Sequence, residues 1–294
     1  MFLLLTMGCA HHASMPGPDG YDPRVAEWVK GNLAARPAPA PCDKITGALS
    51  SMGSLLYVYD QAAWHATDAV EPVLRTVVAA DPKALAPGWL VVQRAGGVSV
   101  EWVTVRSGSP EVLVEEPVSL PDFKAAPLAP PGADAATVKA VADSLRGRPL
   151  SPEELAQYTA LQAAVKHGVA IKAEHLNVVT VPVGADEVWV YFFPATTDPN
   201  VELFGGAVEL VVKGGVVTEE LHHGEQVHSQ PKPPPEAVES AAYLDIPSMV
   251  CPSETLVFSS AQYNRRIFLR GANGAWGIAG PTLDYLGTVV RPAE

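Results

Sequence analysis

Val188, Trp189, Val190, Tyr191, Phe192 and Phe193 follow one another without a polar side chain. Successive side chains of a strand point to opposite faces, so such a run buries both. A chain with this segment must cover it on two sides, which requires at least three layers. Other runs supply strands for the same sheet system. Trp89–Val92 and Val98–Val105 flank Gly96-Gly97, Ala207–Val212 and Val216–Leu221 flank Gly214-Gly215, and Ile267–Arg270 and Ala275–Ile278 flank Asn273-Gly274. Apolar runs joined by short glycine-bearing turns read as β-hairpins.

Helices are marked by their boundaries. Asp22-Pro23 suits an N-cap and first helical position, with Val25, Val29 and Leu33 as the apolar stripe that follows. Residues 49–80 read as a short strand or helical turn followed by a helix. Two helices lie between 134 and 168. For the second, Ser151, Pro152 and Glu154 form a capping box, Leu155, Tyr158, Leu161 and Val165 line one face, and Gly168 ends it. Antiparallel hairpins with separate helices predict an α+β fold, largely antiparallel sheet with several packed helices. Residues 21–294 are expected to form a single domain, with possible internal breaks at the Pro-rich stretches 117–133 and 231–235. Residues 36–41 read as a stiff linker.

Three cysteines are present, Cys9, Cys42 and Cys251. A short leucine-rich run ends at Gly8-Cys9, and residues 10–20 are small, polar and rich in Pro and Gly, as a flexible tether would be. The run resembles the end of a bacterial lipoprotein signal, in which the lipobox Cys becomes the lipidated first residue. It departs from that pattern at Thr6, where Leu is usual, and lacks a basic stretch before the apolar one. The competing reading is an ordinary hydrophobic N-terminus. If Cys9 carries lipid, Cys42 and Cys251 remain as an even pair. A bond between them would close about 200 residues and contribute on the order of 4–5 kcal/mol in the chain-entropy model. Two unrelated thiols are the alternative. The segment from Asn177 to Pro182, with Trp189–Thr197 and Gly205-Gly206, is similar to uncharacterised bacterial envelope proteins, a resemblance that implies no activity.

The formal charge is −12, with 20 Lys and Arg against 32 Asp and Glu. Nucleic-acid binding needs clustered basic residues, so nucleic acid is not an expected partner. Repulsion from anionic lipid leaves membrane attachment to the lipid itself. Signatures of established chemistry are missing: no Gly-x-Gly, no phosphate-binding loop, no Cys-x-x-Cys, no His-Glu-x-x-His and no Gly-x-Ser-x-Gly.

Two weak leads remain. His65 and Asp68 would be neighbours on a helix and could serve as an acid–base pair, but a partly buried polar cluster is the plainer reading. In the tract His222–His228, a loop could gather His223, Glu225 and His228 around Zn²⁺. His222 and His223 would point to opposite faces of a strand, and a solvated hairpin end is the plainer reading. Arg265, Arg266 and Arg270 suit local ion pairs. The expected function is that of a non-catalytic, lipid-anchored envelope protein facing the periplasm or exterior. Its soluble domain would bind an unidentified protein or envelope component and need no cofactor. A metal-assisted hydrolase built on the 222–228 histidines, with zinc, is the alternative.

Overall fold

The computed structural model describes residues 33–34, 42–85, 88–94, 97–120, 122–173, 175–234 and 241–289. Cys9, the tether, the 36–41 linker and the start of the expected first helix lie outside them. Leu33 does not belong to that helix. With Ala34 it forms a two-residue strand, β1 (Leu33–Ala34).

Helix α1 (Cys42–Ala80) runs for 39 residues, a length of about 58 Å at the α-helical rise. It corrects the expectation of a strand or turn before a shorter helix. The β-branched and aromatic stretch around Leu55–Tyr59 suits either state locally. Packing decides: Leu56, Tyr59, Ala63, Ala66, Val70 and Val73 are buried at spacings of three and four, which only a helix aligns on one face.

The first sheet is antiparallel, in the order β2 (Leu90–Arg94), β3 (Gly97–Arg106), β4 (Ser109–Ser119), β5 (Arg148–Pro149). Between β4 and β5 lies α2 (Ala135–Ser144), and after β5 comes α3 (Pro152–His167). The second sheet contains β6 (His175–Pro182), β7 (Glu187–Ala195), β9 (Ala207–Lys213) and β10 (Val216–His223), in the order β10-β9-β7-β6. A separate ribbon pairs β8 (Val201–Phe204) with β11 (His228–Pro231). The third sheet holds β12 (Ala241–Asp245), β13 (Arg266–Gly271), β14 (Gly274–Ala279) and β15 (Thr282–Val289), with β1 on the outer edge of β15. Its β12–β13 pair is parallel and is bridged by α4 (Glu254–Tyr263), the crossover a parallel pair requires. The whole is α+β, and the three glycine-bearing turns close hairpins where expected.

α1 is the shared spine. One core joins it to Val100, Trp102 and Val114 of the first sheet, Val179, Tyr191 and Phe193 of the second, and Phe258 of α4. On the second sheet's other face, Val188, Val190, Phe192, Val208 and Leu210 pack on Ala160 and Ala164 of α3. β7 is therefore internal and covered on both sides.

α3 keeps its expected boundaries: the Ser151–Glu154 capping box is formed and Gly168 sits at φ 75°. Its buried face is different. Leu155 and Val165 are exposed, whereas Glu154, Gln157, Ala160, Leu161 and Ala164 are buried. The alanines let the helix lie close to the sheet, and the polar pair has partners. Gln157 accepts a hydrogen bond from Thr180 at 3.2 Å, and Glu154 meets two arginines.

α1 and α4 touch at Gly53. A β-carbon there would fall 2.5 Å from Val257 Cβ and 2.6 Å from the Glu254 carbonyl oxygen. Only glycine permits this approach, which sets the separation of α1 and α4.

Candidate functional site

His65 and Asp68 lie on α1. The His65 ring stacks on Phe123, with centroids 5.8 Å apart, and Asp68 is exposed. Partial burial raises the Asp68 carboxyl despite the opposing influence of His65. The histidine tract is split. His222 is exposed and bonds Glu220 at 2.9 Å, Glu225 is exposed in the loop after β10, and His228 belongs to β11, opposite Phe204. The expected trio of His223, Glu225 and His228 is not brought together. Among the described residues, the group that could hold a metal ion is Glu209, His223 and Glu254, with ligand atoms within 4.8 Å of one another.

Strand register places two of these three ligands and sets Tyr191 beside them. Tyr191 of β7 lies opposite Glu209 of β9. Glu209 lies opposite Leu221 of β10, and His223, two residues on, lies opposite Ala207. The period of two places Tyr191, Glu209 and His223 on one face, toward α1 and α4. α4 contributes Glu254, its first residue, from above. His223 Nε2 is 3.0 Å from Glu209 Oε2 and 3.5 Å from Glu254 Oε1. The Tyr191 hydroxyl donates to Glu254 Oε1 at 3.2 Å, and its ring faces His223 with centroids 6.1 Å apart.

The cluster is closed in but not sealed. Tyr191 is 0% exposed, Glu209 4% and Glu254 7%. The His223 side chain is 13% exposed and that of Glu254 10%, so both reach solvent at their edges. At this end of the sheet, β9 begins after Gly205 and Gly206 (φ 69° and 67°) and β10 ends at Gly224 (φ 97°). A β-carbon on Gly206 would press to 2.6 Å against Val227, so the loop after β10 packs back on the start of β9. On the other side, Cys42 and Cys251 are joined by a disulfide with Cα atoms 5.5 Å apart. That bond ties the start of α1 to the chain three residues before Glu254.

Burial works against a charged imidazole at His223, but Glu209 and Glu254 outweigh it and raise its pKa above the ordinary value. Burial and the same two carboxylates push the Tyr191 phenol far upward, so it remains a donor. Glu209 carried a signal in the sequence: it is the lone acid in an otherwise apolar strand interior. Glu254 carried none, because an acid in a helix's first turn is ordinary dipole chemistry.

Two other buried polar groups differ in kind. Glu101 and Glu154 are bridged by Arg94 and Arg148 at 2.6–3.1 Å, with Glu115 at the margin. Burial and the neighbouring Glu154 push Glu101 up to about 7. Burial also opposes ionisation of Glu154, but Arg148, the Ser151 amide and Arg94 hold it down to about 2. This is an ion network, with Glu101 Oε2 left without a hydrogen-bond partner. A shallow groove of about 270 Å³ lies beyond it, between Leu155 and Thr159 of α3 and Asp186, Gly214 and Gly215.

Asp60 of α1 is the second. Burial pushes its carboxyl up to about 7, against the Gln61 and Asn177 side chains, which favour the ionised form. Asn177 Nδ2 donates to it at 3.4 Å, while Asp60 Oδ2 and Asn177 Oδ1 have no hydrogen-bond partner. A proton on Asp60 spares the buried charge. A folded-state pKa above the unfolded one means that the native state holds the proton longer, so stability falls as pH rises from about 4 to about 7 and is level beyond. Asp60→Asn removes this contribution. Its melting temperature relative to wild type is expected to climb across that window, as read by calorimetry from pH 4.5 to 8. A constant difference would show that Asp60 does not titrate there.

Compared with protein-family models, with curated proteins and with solved structures, the chain matches none.

Proposed function

We propose that this chain is a lipid-anchored cell-envelope protein, attached through Cys9, whose domain binds a protein or envelope component and is not itself a catalyst. The Cys42–Cys251 disulfide carries the reading. Such bonds persist in oxidising compartments and are rare where glutathione keeps thiols reduced. With those two cysteines paired, Cys9 is left for lipid, next to the Gly8 and leucine run that favour its processing. No helix among the described residues is long and apolar enough to cross a membrane, which agrees with attachment by an acyl chain. The charge of −12 disfavours adsorption on anionic lipid and leaves the anchor to do the holding.

The experiment is intact-mass analysis, with and without reductant, of chain recovered from bacterial membrane and soluble fractions after expression from the full upstream reading frame. The expected result is a membrane-bound species beginning at diacylglyceryl-modified Cys9 that gains two hydrogen atoms on reduction. An unprocessed soluble chain with three free thiols would overturn the proposal. The metal-hydrolase reading keeps only His223 of its tract, and its other groups would be Glu209 and Glu254.

A further inference from the structure

We infer that Glu209, His223 and Glu254 form a binding site for a first-row divalent transition-metal ion, with Tyr191 orienting Glu254. The inference stands apart from the envelope reading, since it rests on the cluster alone.

Charge is the first ground. Two carboxylates, each at least nine-tenths buried, share one imidazole and one phenolic O–H. Two carboxylates facing one imidazole gather acceptor oxygens in the interior, where an unpaired charge is costly. A divalent cation held by two carboxylates and a neutral imidazole makes the group neutral.

Geometry is the second. Ligand bonds of about 2.0–2.1 Å in a tetrahedron put neighbouring ligand atoms about 3.3 Å apart. The two His223 edges measure 3.0 and 3.5 Å. The third, no longer than 4.8 Å, closes with a modest rotation of one carboxylate. The three side chains come from β9, β10 and α4, so the site is prepaid by the fold: register sets two ligands, and the disulfide and Gly53 set the third.

The donor set selects the ion. Ca²⁺ and Mg²⁺ take oxygen ligands, whereas an imidazole beside two carboxylates suits Zn²⁺ and its neighbours. Three protein ligands leave a fourth tetrahedral position for water or a bound group. The hydroxyl of Tyr191 on Glu254 is the outer hydrogen bond that such carboxylate ligands use to hold their orientation.

The test uses the full chain, oxidised, carrying no affinity tag and stripped with EDTA. It is titrated with ZnCl₂ by calorimetry and with Co²⁺ by visible absorption. One saturable equivalent is expected, with tetrahedral Co²⁺ bands and a metal-dependent rise in melting temperature. His223→Ala, Glu209→Gln and Glu254→Gln should each abolish it, and Tyr191→Phe should weaken it by about 10–100-fold. His222→Ala, Glu225→Gln, His228→Ala and the paired change His11→Ala with His12→Ala should leave it intact. Cooperative melting of each metal-free variant separates a lost ligand from a lost fold; if a ligand variant does not fold, the Tyr191→Phe affinity and the Co²⁺ spectrum decide. No saturable binding, binding that survives Glu209→Gln combined with His223→Ala, or binding lost with the His11–His12 pair overturns the inference.

Discussion

Replacing Cys42 and Cys251 by serine is expected to cost the domain about 5 kcal/mol of unfolding free energy. The cysteines are 209 positions apart. Cross-linking residues so distant removes a large part of the unfolded chain's freedom, and the chain-entropy model gives this order of magnitude. For a domain of this size, each kcal/mol moves the midpoint by about 2–4 °C, so the melting temperature should fall by roughly 10–20 °C. The same shift should follow addition of reductant to wild type and be absent in the serine variant. Calorimetry with and without reductant reads both. A change of only a degree or two would mean that the bond adds nothing beyond the packing of Cys42, which is buried among Phe204, Leu256 and Trp276.

Arg265→Met is expected to destabilise by about 3–5 kcal/mol, the usual cost of leaving one member of a buried ion pair uncompensated. Arg265 and Glu202 are both buried and hydrogen-bonded to each other. Arg265 also donates to the Ala241 carbonyl at 2.9 Å and lies over the Phe204 ring at 5.9 Å. The pair joins the β8–β11 ribbon to the third sheet just past the end of α4. Adding Glu202→Leu should restore most of the loss, because the double variant buries no charge. Urea unfolding of the four species closes the cycle. If the single and double variants are equally unstable, the loss comes from packing and not from the stranded carboxylate.

These two ties help explain what could be read in advance. Features set by neighbours in sequence were legible: the hairpins at Gly96-Gly97, Gly214-Gly215 and Asn273-Gly274, the capping box at Ser151, and the two-sided strand at 188–193. Features decided by packing were not. Leu55–Tyr59 has strand-like composition and became helix because α1 is buried along one stripe. Leu155 and Val165 look like core and are exposed, since α3 approaches the sheet on its alanines. The candidate site shows the same division. Local spacing grouped His223 with Glu225 and His228, but the positive φ at Gly224 turns the chain away and sends those two into a loop and a separate ribbon. The true neighbours of His223 are 14 and 31 residues away, by the numbering of Glu209 and Glu254. They arrive by strand register and by a helix from a distant part of the chain.

The Cys42–Cys251 bond also determines how the domain bears load. Tension applied between any point before Cys42 and any point after Cys251 runs through the sulfur bridge. The 208 residues between the cysteines lie off that line of force. Pulling can strip the strands that follow Cys251, but it cannot extend the first and second sheets, α1, α2 or α3. A protein held at one end to a membrane and tugged at the other would give way at α4, β13–β15 and the β1 edge, while the elements between the two cysteines stay off the line of force. For the same reason, a machine that threads a single strand of polypeptide from either end would meet a closed ring and have to admit two strands at once.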